Sequence, residues 1–401
     1  MRPFDAKRVL LGVTGGIASY KSAWLARLLK KAGADVDVIL TRAAAEFIGA
    51  ITFEALTGRP VHTGLFDPGH ALDHIRLARD ADAIVVAPAT ADFLARAATG
   101  QADDLLTACL LANQSPVLLV PAMNDHMWAH AQTQRNVAHL RELGYRIVEP
   151  DTGELAAGEG SGPGRMPEPE MIFAHVGRAL EGTTALSGRN VLVTAGPTRE
   201  SIDPVRFISN HSSGKMGVAI AAAAWRRGAT VRLVAGPLSI STPVGATVRP
   251  VESTESMANA VHELLPAADV LIMAAAPADF RPAEVATSKI KKTSAPDAIS
   301  LRSTPDILSA TKSARRPGTV IVGFALETND PLAGGRAKLA AKDLDLIVVN
   351  DATEPGAGFG VDTNRVTLLS RAGGEEHLPL MSKECVADEI LDRVEVLLRG
   401  R

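Results

Sequence analysis

The chain has 401 residues, of which 46% are hydrophobic, 4% aromatic and 22% charged, with a formal net charge of −3 and two cysteines. That length suits two domains of ordinary size, and the hydrophobic fraction lets each bury its own core. The charge balance excludes an extended basic surface for nucleic acid or an anionic membrane, so any anionic ligand is held by local groups. No apolar run approaches membrane-spanning length, and two cysteines without an apolar stretch near the N-terminus point to a cytoplasmic protein lacking a disulfide framework.

The first predicted strand, in Arg8-Val-Leu-Leu-Gly-Val-Thr-Gly-Gly16, stops at a glycine-bearing turn and passes into a helical pattern over Ser19 to Lys31. Strand candidates Val9 to Val13, Asp35 to Leu40, Ala83 to Ala87 and Val117 to Val120 alternate with helical patterns such as Asp103 to Asn113. This βα repeat predicts a parallel, doubly wound sheet. Asp151 to Pro169 breaks all periodicity with repeated Gly and Pro and predicts a long loop, usable as a lid. A helix near Met171 to Glu181 follows, and the polar stretch Gly182 to Arg189 marks a boundary between domains 1–182 and 183–401.

The second domain opens as the first did, with Asn190-Val-Leu-Val-Thr-Ala-Gly-Pro-Thr198. Its strands are expected near Val191 to Thr194, Thr230 to Val234, Val270 to Ala274, Thr319 to Phe324 and Leu346 to Val349, with a last helix over Ser382 to Leu398. Two such openings with different turn chemistry predict two separate ligand sites on one polypeptide.

The turn Gly12-Val-Thr-Gly-Gly-Ile17 leads into a helix whose free N–H groups and dipole favour an anion. It lacks the G-x-G-x-x-G spacing, and Thr41 stands at the end of the second strand where a dinucleotide ribose needs an acid, so a mononucleotide phosphate fits better than NAD. Alone, the motif also fits a tight turn without a ligand. Ala87-Pro-Ala-Thr-Ala-Asp92 and Pro121-Ala-Met-Asn-Asp-His-Met-Trp128 end the third and fourth predicted strands, which brings both to the same crevice. An Asn amide holds a carboxylate or carbonyl, with Met and Trp as an apolar wall; without context, such a Met and Trp pair is more often core.

The segment Pro121 to Trp128 resembles the P-x-M-N-x-x-M-W signature of the flavin-dependent cysteine decarboxylases, and Gly15-Gly-Ile-Ala-Ser-Tyr-Lys21 resembles their FMN-phosphate turn. Thr194-Ala-Gly-Pro-Thr-Arg-Glu200, Asp203-Pro-Val-Arg206, Ile208-Ser-Asn-His-Ser-Ser-Gly-Lys-Met-Gly217 and Lys289-Ile-Lys-Lys292 resemble phosphopantothenate cysteine ligase. In this order they resemble the bifunctional enzymes of coenzyme A biosynthesis over nearly the whole chain. The resemblance implies an α/β fold of two doubly wound, Rossmann-like domains: a flavodoxin-like flavoprotein domain followed by a nucleotide-binding ligase domain.

It also implies roles. In the first domain, FMN is held by Gly15, Gly16, Ile17, Thr41, Pro88, Ala89, Thr90 and Met123; Asn124 fixes the substrate carboxylate, with Met127 beside it. Hydride transfer to FMN turns the thiolate-bearing carbon into a thioaldehyde, an electron sink for loss of CO₂, and the resulting enethiol is then reduced and protonated. His74 matches the family's active-site histidine, a suitable proton acceptor near pH 7, although by itself it reads more readily as a core or surface histidine. Arg96 is a holder of a substrate anion or a solvated helix arginine.

In the second domain the implied reaction joins phosphopantothenate to cysteine through an acyl-cytidylate made from CTP. Ser212, Ser213, Gly214 and Lys215 at a helix start hold phosphate, Lys289 assists acyl-cytidylate formation with Lys291 and Lys292 nearby, and Asn210 supports that step. Asp279 serves the triphosphate or Mg²⁺, since a hard cation prefers carboxylate oxygen. Phe324 and Asn350 are expected past strand ends, against base or ribose, with core packing as the alternative.

One position departs from the pattern: the family lid carries a cysteine as the final acid, and Leu155-Ala-Ala-Gly158 places Ala157 there. A methyl group delivers no proton, so Ser161, Glu159 or water has to substitute, or the flavin half stalls at the enethiol. A third reading is a catalytically silent flavin-binding domain; a base and a carboxylate holder, His74 and Asn124, argue against it. By resemblance the chain forms a homo-oligomer built on trimers of the flavin domain with sites between subunits, up to a dodecamer.

Overall fold

In β1 (Arg8–Val13), Val9, Leu11 and Val13 join one buried cluster and Leu10 another, as expected of a strand covered on both faces. The computed structural model describes every residue except 1, 67–71, 292–297, 328–329, 352–357 and 359. The chain divides into two compact units, Met1–Gly182 and Thr183–Arg401.

Unit 1 continues with α1 (Ser19–Lys31), β2 (Asp35–Leu40), α2 (Ala50–Thr57), β3 (Val61–His62), α3 (Asp73–Asp80), β4 (Ala83–Ala89) and α4 (Ala91–Thr99). Then come α5 (Leu105–Ala112), β5 (Val117–Pro121), α6 (Asp125–Ala129), α7 (Ala131–Glu142), β6 (Arg146–Ile147), β7 (Asp151–Glu154), β8 (Ser161–Arg165) and α8 (Pro169–Glu181). The main sheet runs β3-β2-β1-β4-β5-β6, all parallel. One face is covered by Leu25 and Leu29 of α1 with Ile172 and Val176 of α8, the other by Leu77, Phe93, Leu106 and Val137 from α3, α4, α5 and α7. The doubly wound expectation is met. Its strand order is the six-stranded 3-2-1-4-5-6 form, with a switch point between β1 and β4 where the chain winds off in opposite directions.

The loop expected over Asp151 to Pro169 is instead mostly structured: β7 and β8 form an antiparallel hairpin in which Gly153 faces Gly162 and Glu154 faces Ser161. Its composition hid it. Gly162 and Gly164 are the buried positions of β8, and a Cβ there would come within 2.8 Å of the Asp125 side chain and 2.2 Å of the Met123 carbonyl oxygen. The strand forms because a bare backbone lies down on Met123–Asp125, not because β-branched side chains alternate.

Unit 2 begins with β9 (Asn190–Ala195), β10 (Arg199–Ser201), β11 (Phe207–Ser209), α9 (Lys215–Arg226), β12 (Thr230–Ala235), β13 (Ala246–Pro250) and α10 (Thr254–Leu264). It continues with β14 (Val270–Met273), β15 (Phe280–Pro282), β16 (Leu301–Ser303), α11 (Ile307–Ala310), β17 (Val320–Glu327), α12 (Pro331–Ala341) and β18 (Leu346–Asp351). The chain closes with β19 (Thr363–Asn364), β20 (Val366–Ser370), β21 (Glu375–His377), β22 (Met381–Ser382) and α13 (Lys383–Arg399). The sheet order is β13-β12-β9-β14-β17-β18-β20-β21, parallel up to β18 and antiparallel beyond. Ile220 and Ala224 of α9 and Ile390 and Val394 of α13 cover one face; Met257 and Val261 of α10 cover the other.

Between α9 and α13, Arg227 is sealed with only 2% of its side chain exposed. Its guanidinium reaches Asp392 at 2.7 Å, Glu395 at 2.9 Å and Asp388 at 3.0 Å. Among the described residues no helix is long and apolar enough to cross a membrane.

Candidate active sites

The turn from β1 to α1 is shaped by close approach. A Cβ on Gly15 would lie 2.4 Å from that of Ala43, so the β1 turn meets the loop after β2 only because residue 15 has no side chain. Thr14 then links two strand ends: its hydroxyl donates to the Pro88 carbonyl at 2.8 Å and accepts from the Thr90 N–H at 3.1 Å. Helix α1 has Ala18 as its N-cap, without a side-chain cap, and carries no acid in its first turn; the Ser19 and Lys21 N–H groups turn back to the Gly16 and Ala18 carbonyls, each at 3.0 Å, so it is the positive end of the helix dipole that favours an anion here. These features fit the phosphate of a mononucleotide.

Two clefts meet here. One, of ≈ 390 Å³, is lined by Gly15, Gly16 and Ile17 of the turn, Asn124 and Met127, and the β7–β8 hairpin through Leu155 and Glu159. The other is larger, with Thr14, Thr41, Arg42, Thr90 and Leu106 in its walls. Gly15, Thr90, Ala91 and Met127 border both. Met123 lines the smaller cleft. Pro88 and Ala89 are buried inside β4, next to Thr90, and line neither cleft.

Asn124 caps α6: its Oδ1 accepts from the His126 N–H at 2.9 Å. That bond orients the amide so that Nδ2, which has no partner among the described residues, is left as the donor on the cleft side. Above it, the hairpin is tied down by the Met123 N–H donating to the Gly164 carbonyl at 3.0 Å. Lys21 completes the attachment. Only 6% exposed on α1, it donates from Nζ to the Met166 carbonyl at 2.7 Å and to Glu168 at 3.0 Å. Sequence reading quoted Lys21 within the turn motif and gave it no role; a lysine on the buried side of an amphipathic helix is the signal that was there. Ala157 lies at the hairpin's exposed tip and is absent from the lining of both clefts.

Two candidates sit differently from expectation. His74, in the first turn of α3, lines neither cleft of its own unit, and its Nδ1 is buried without a hydrogen-bond partner among the described residues. Arg96 borders the larger cleft but is engaged by Asp92 at 3.1 Å, Asp103 at 3.1 Å and Asp104 at 2.7 Å. Burial alone would lower its pKa, yet hydrogen bonds to Asp104 and Asp103 outweigh this and raise it, so it stays charged. With three carboxylates around it, Arg96 is neutralised within the chain and offers no free charge to a substrate anion.

In unit 2 the crevice at the ends of β9 and β14 is knit by polar side chains. Thr198 Oγ1 accepts from the Ala278 N–H at 2.9 Å and shares a hydrogen bond of 2.9 Å with Thr254, while buried Glu200 accepts from the Thr254 N–H and hydroxyl, both at 2.8 Å. Asn210 Nδ2 donates to the carbonyls of Ala276 at 3.2 Å and Pro277 at 3.0 Å, bridging the loop after β11 to the loop after β14. Gly214 takes a left-handed conformation, φ 81°, to start α9, and its N–H is held by Ser212 Oγ at 3.3 Å. Ser213 follows Ser212 in that loop, and its carbonyl accepts from the Ser239 hydroxyl at 3.3 Å. Lys215 donates to Asp362 at 2.6 Å and the Gly360 carbonyl at 2.8 Å, so its charge is already shared.

Asp279 and Lys289 are exposed. Among the described residues no group of three or more His, Cys, Asp or Glu is placed to hold a metal, so Asp279 alone makes no protein cage. Lys291 is exposed, and Lys292 lies outside the described residues. Phe324 corrects an expectation: β17 runs on to Glu327, so Phe324 lies within the strand and rests against the core rather than past a strand end. Asn350 likewise lies within β18, and its Oδ1 is buried without a partner.

Residues 2–181 match the family described as flavoprotein, and residues 186–397 match the DNA/pantothenate metabolism flavoprotein C-terminal domain. The chain is 45% identical over 402 residues to the coenzyme A biosynthesis bifunctional protein CoaBC of Vibrio vulnificus, covering 99% of this chain and 100% of that one. It is 49% identical over 409 residues to the CoaBC protein of Mycobacterium tuberculosis, covering 98% and 97% respectively. Among solved structures, the crystallised C-terminal domain of a CoaBC protein matches at 40% identity and a TM-score of 0.47, over 55% of this chain and 100% of that one.

Proposed function

The chain belongs to the CoaBC family of bifunctional coenzyme A biosynthesis proteins, joining a phosphopantothenoylcysteine decarboxylase to a phosphopantothenate–cysteine ligase, and on that premise we propose which residues perform each half. The observation that carries the reading is the hairpin-covered cleft of unit 1, where the anion-ready turn, Asn124 and an apolar wall converge. Residues 1–182 act as the decarboxylase and 183–401 as the ligase.

In unit 1 the flavin is FMN, with its phosphate on Gly15, Gly16 and Ile17 and with Thr41, Thr90 and Met123 around it. Held there, FMN would supply reversible two-electron hydride chemistry for the substrate. Asn124 Nδ2 holds the substrate carboxylate, and Ile17, Met123 and Met127 exclude water from it, which favours departure as neutral CO₂. His74 takes the proton. Because it lines neither cleft of its own unit and its buried Nδ1 has no partner among the described residues, a homo-oligomer that brings His74 of one subunit to the cleft of another accounts for both facts. A trimer of unit 1, and a dodecamer built from trimers, are the assemblies proposed, with a cytoplasmic location.

In unit 2 the Ser212–Gly217 helix start receives the phosphates of CTP, and Asp279 would hold Mg²⁺, which would supply charge neutralisation at the triphosphate. Lys289 stabilises charge as the phosphopantothenate carboxylate attacks the α-phosphorus and pyrophosphate leaves. Asn210 supports the acyl-cytidylate, whose carbonyl is then attacked by the cysteine amine, releasing CMP.

The test supplies phosphopantothenate, cysteine, CTP and Mg²⁺ to the purified flavoprotein and identifies products by mass. Phosphopantetheine is expected. A product two hydrogens lighter, the enethiol, would mean that Ala157 leaves the last protonation unsupported, and absence of phosphopantothenoylcysteine would sink the ligase half.

A further inference from the structure

Asp203 sits in the turn between β10 and β11 with its side chain fully buried. Its Oδ1 accepts from the N–H groups of Val205 and Arg206, each at 2.8 Å, which is all that an Asx-type turn requires. Its Oδ2 does something else. It accepts from the N–H of Ile290, 87 positions away, at 3.2 Å, and pairs with the Arg206 guanidinium at 3.1 Å. That same guanidinium donates to the Ile290 carbonyl. Nearby, the Ala286 N–H donates to the Ile202 carbonyl at 3.0 Å.

We propose that Asp203 is a positioning residue of the ligase site: with Arg206 it grips Ile290 at both its N–H and its C=O and so fixes the backbone from which Lys289 reaches the nucleotide. The proposal rests on the role given to Lys289 above. An Asn or Ser would serve the turn as well as Asp; only the Oδ2 side, facing an N–H and a guanidinium, needs a carboxylate. Burial alone would push the Asp203 carboxyl up, but the three backbone donors and Arg206 hold it below the usual carboxylate range, so it is ionised whenever the ligase works. Lys289 itself is exposed, so the clamp on its neighbour limits where its ammonium can go.

The test is Asp203→Asn in the full-length protein, an isosteric change that keeps the turn acceptor and sets an amide against Ile290. CMP release is expected to fall on the order of 10²-fold in kcat, the cost of a misplaced catalytic group, with KM for CTP nearly unchanged. Hydrogen exchange in a peptide spanning residues 284–291 should speed up. In a cycle with Lys289→Gln, the double variant should be no slower than Lys289→Gln alone, because a clamp has nothing to position once the lysine is gone. Multiplying effects would overturn the proposal. Should Asp203→Asn fail to fold, Ile290→Pro removes the clamped N–H while leaving the Asp203 turn intact, and the same loss in kcat and the same non-additivity are expected. If the wild-type protein releases no CMP, the ligase reading fails. If it turns over and Lys289→Gln does not slow it, the positioning proposal falls while the ligase reading stands.

Discussion

Arg227 shows how much one side chain holds. Asp388, Asp392 and Glu395 all converge on it, and the Ala185 N–H donates to Glu395 at 3.1 Å, so the first residues of unit 2 are fastened to the same cluster. Arg227→Met keeps the volume but removes the buried charge that the three carboxylates share, leaving Asp388 to Arg226 and Glu395 to Arg399, which should cost about 2–3 kcal/mol in urea unfolding at neutral pH. A loss below about 1 kcal/mol would mean the cluster is solvated, as surface pairs are. Residue-scale roles were only partly legible in the sequence. Asn124 is singled out by a motif that follows a strand, and it lines the smaller cleft, whereas the Oδ2 side of Asp203 depends on a partner 87 positions away that no local pattern announces. For Phe324 the sequence leaves base contact and core packing equally open, because the end of β17 cannot be read from a run of apolar residues; in the fold it packs against the core.

At the scale of elements, α5 illustrates a start signal and its chemistry together. Asp104 accepts from the Thr107 N–H at 2.8 Å in a capping box and also holds Arg96 at 2.7 Å. Burial tends to raise its pKa, but Thr107 and Arg96 win, and the carboxyl lies below its ordinary value. A depressed folded pKa contributes stability that is fully present above the unfolded value of about 3.9 and is lost as pH falls through the folded one. Asp104→Ala should therefore cost about 1 kcal/mol at pH 7, and the gap to wild type should narrow in urea titrations run at successively lower pH. A gap that widens on acidification would refute the ionised cap. The βα alternation made most sheet strands readable, since buried parallel strands are apolar runs. The β7–β8 hairpin was not readable, because its stability comes from glycine backbone set against Met123–Asp125.

For the whole molecule, the division at Gly182 gives each unit its own sheet and its own buried faces. A chain of residues 183–401 should fold alone with a cooperative thermal transition and release CMP from phosphopantothenate, cysteine and CTP without flavin. Failure of that fragment to turn over while the full chain does would show that the ligase needs the first unit. The two units share the same winding, which is why the fold was legible before the sites: topology fixes where a crevice opens, and single side chains decide what enters it. The hairpin tip is the extreme case. Residue 157 is exposed and borders no core, so its identity is almost free of thermodynamic consequence for the fold. A side chain can therefore be exchanged there at almost no cost in stability, so whatever constrains residue 157 comes from what its side chain meets and hardly at all from folding.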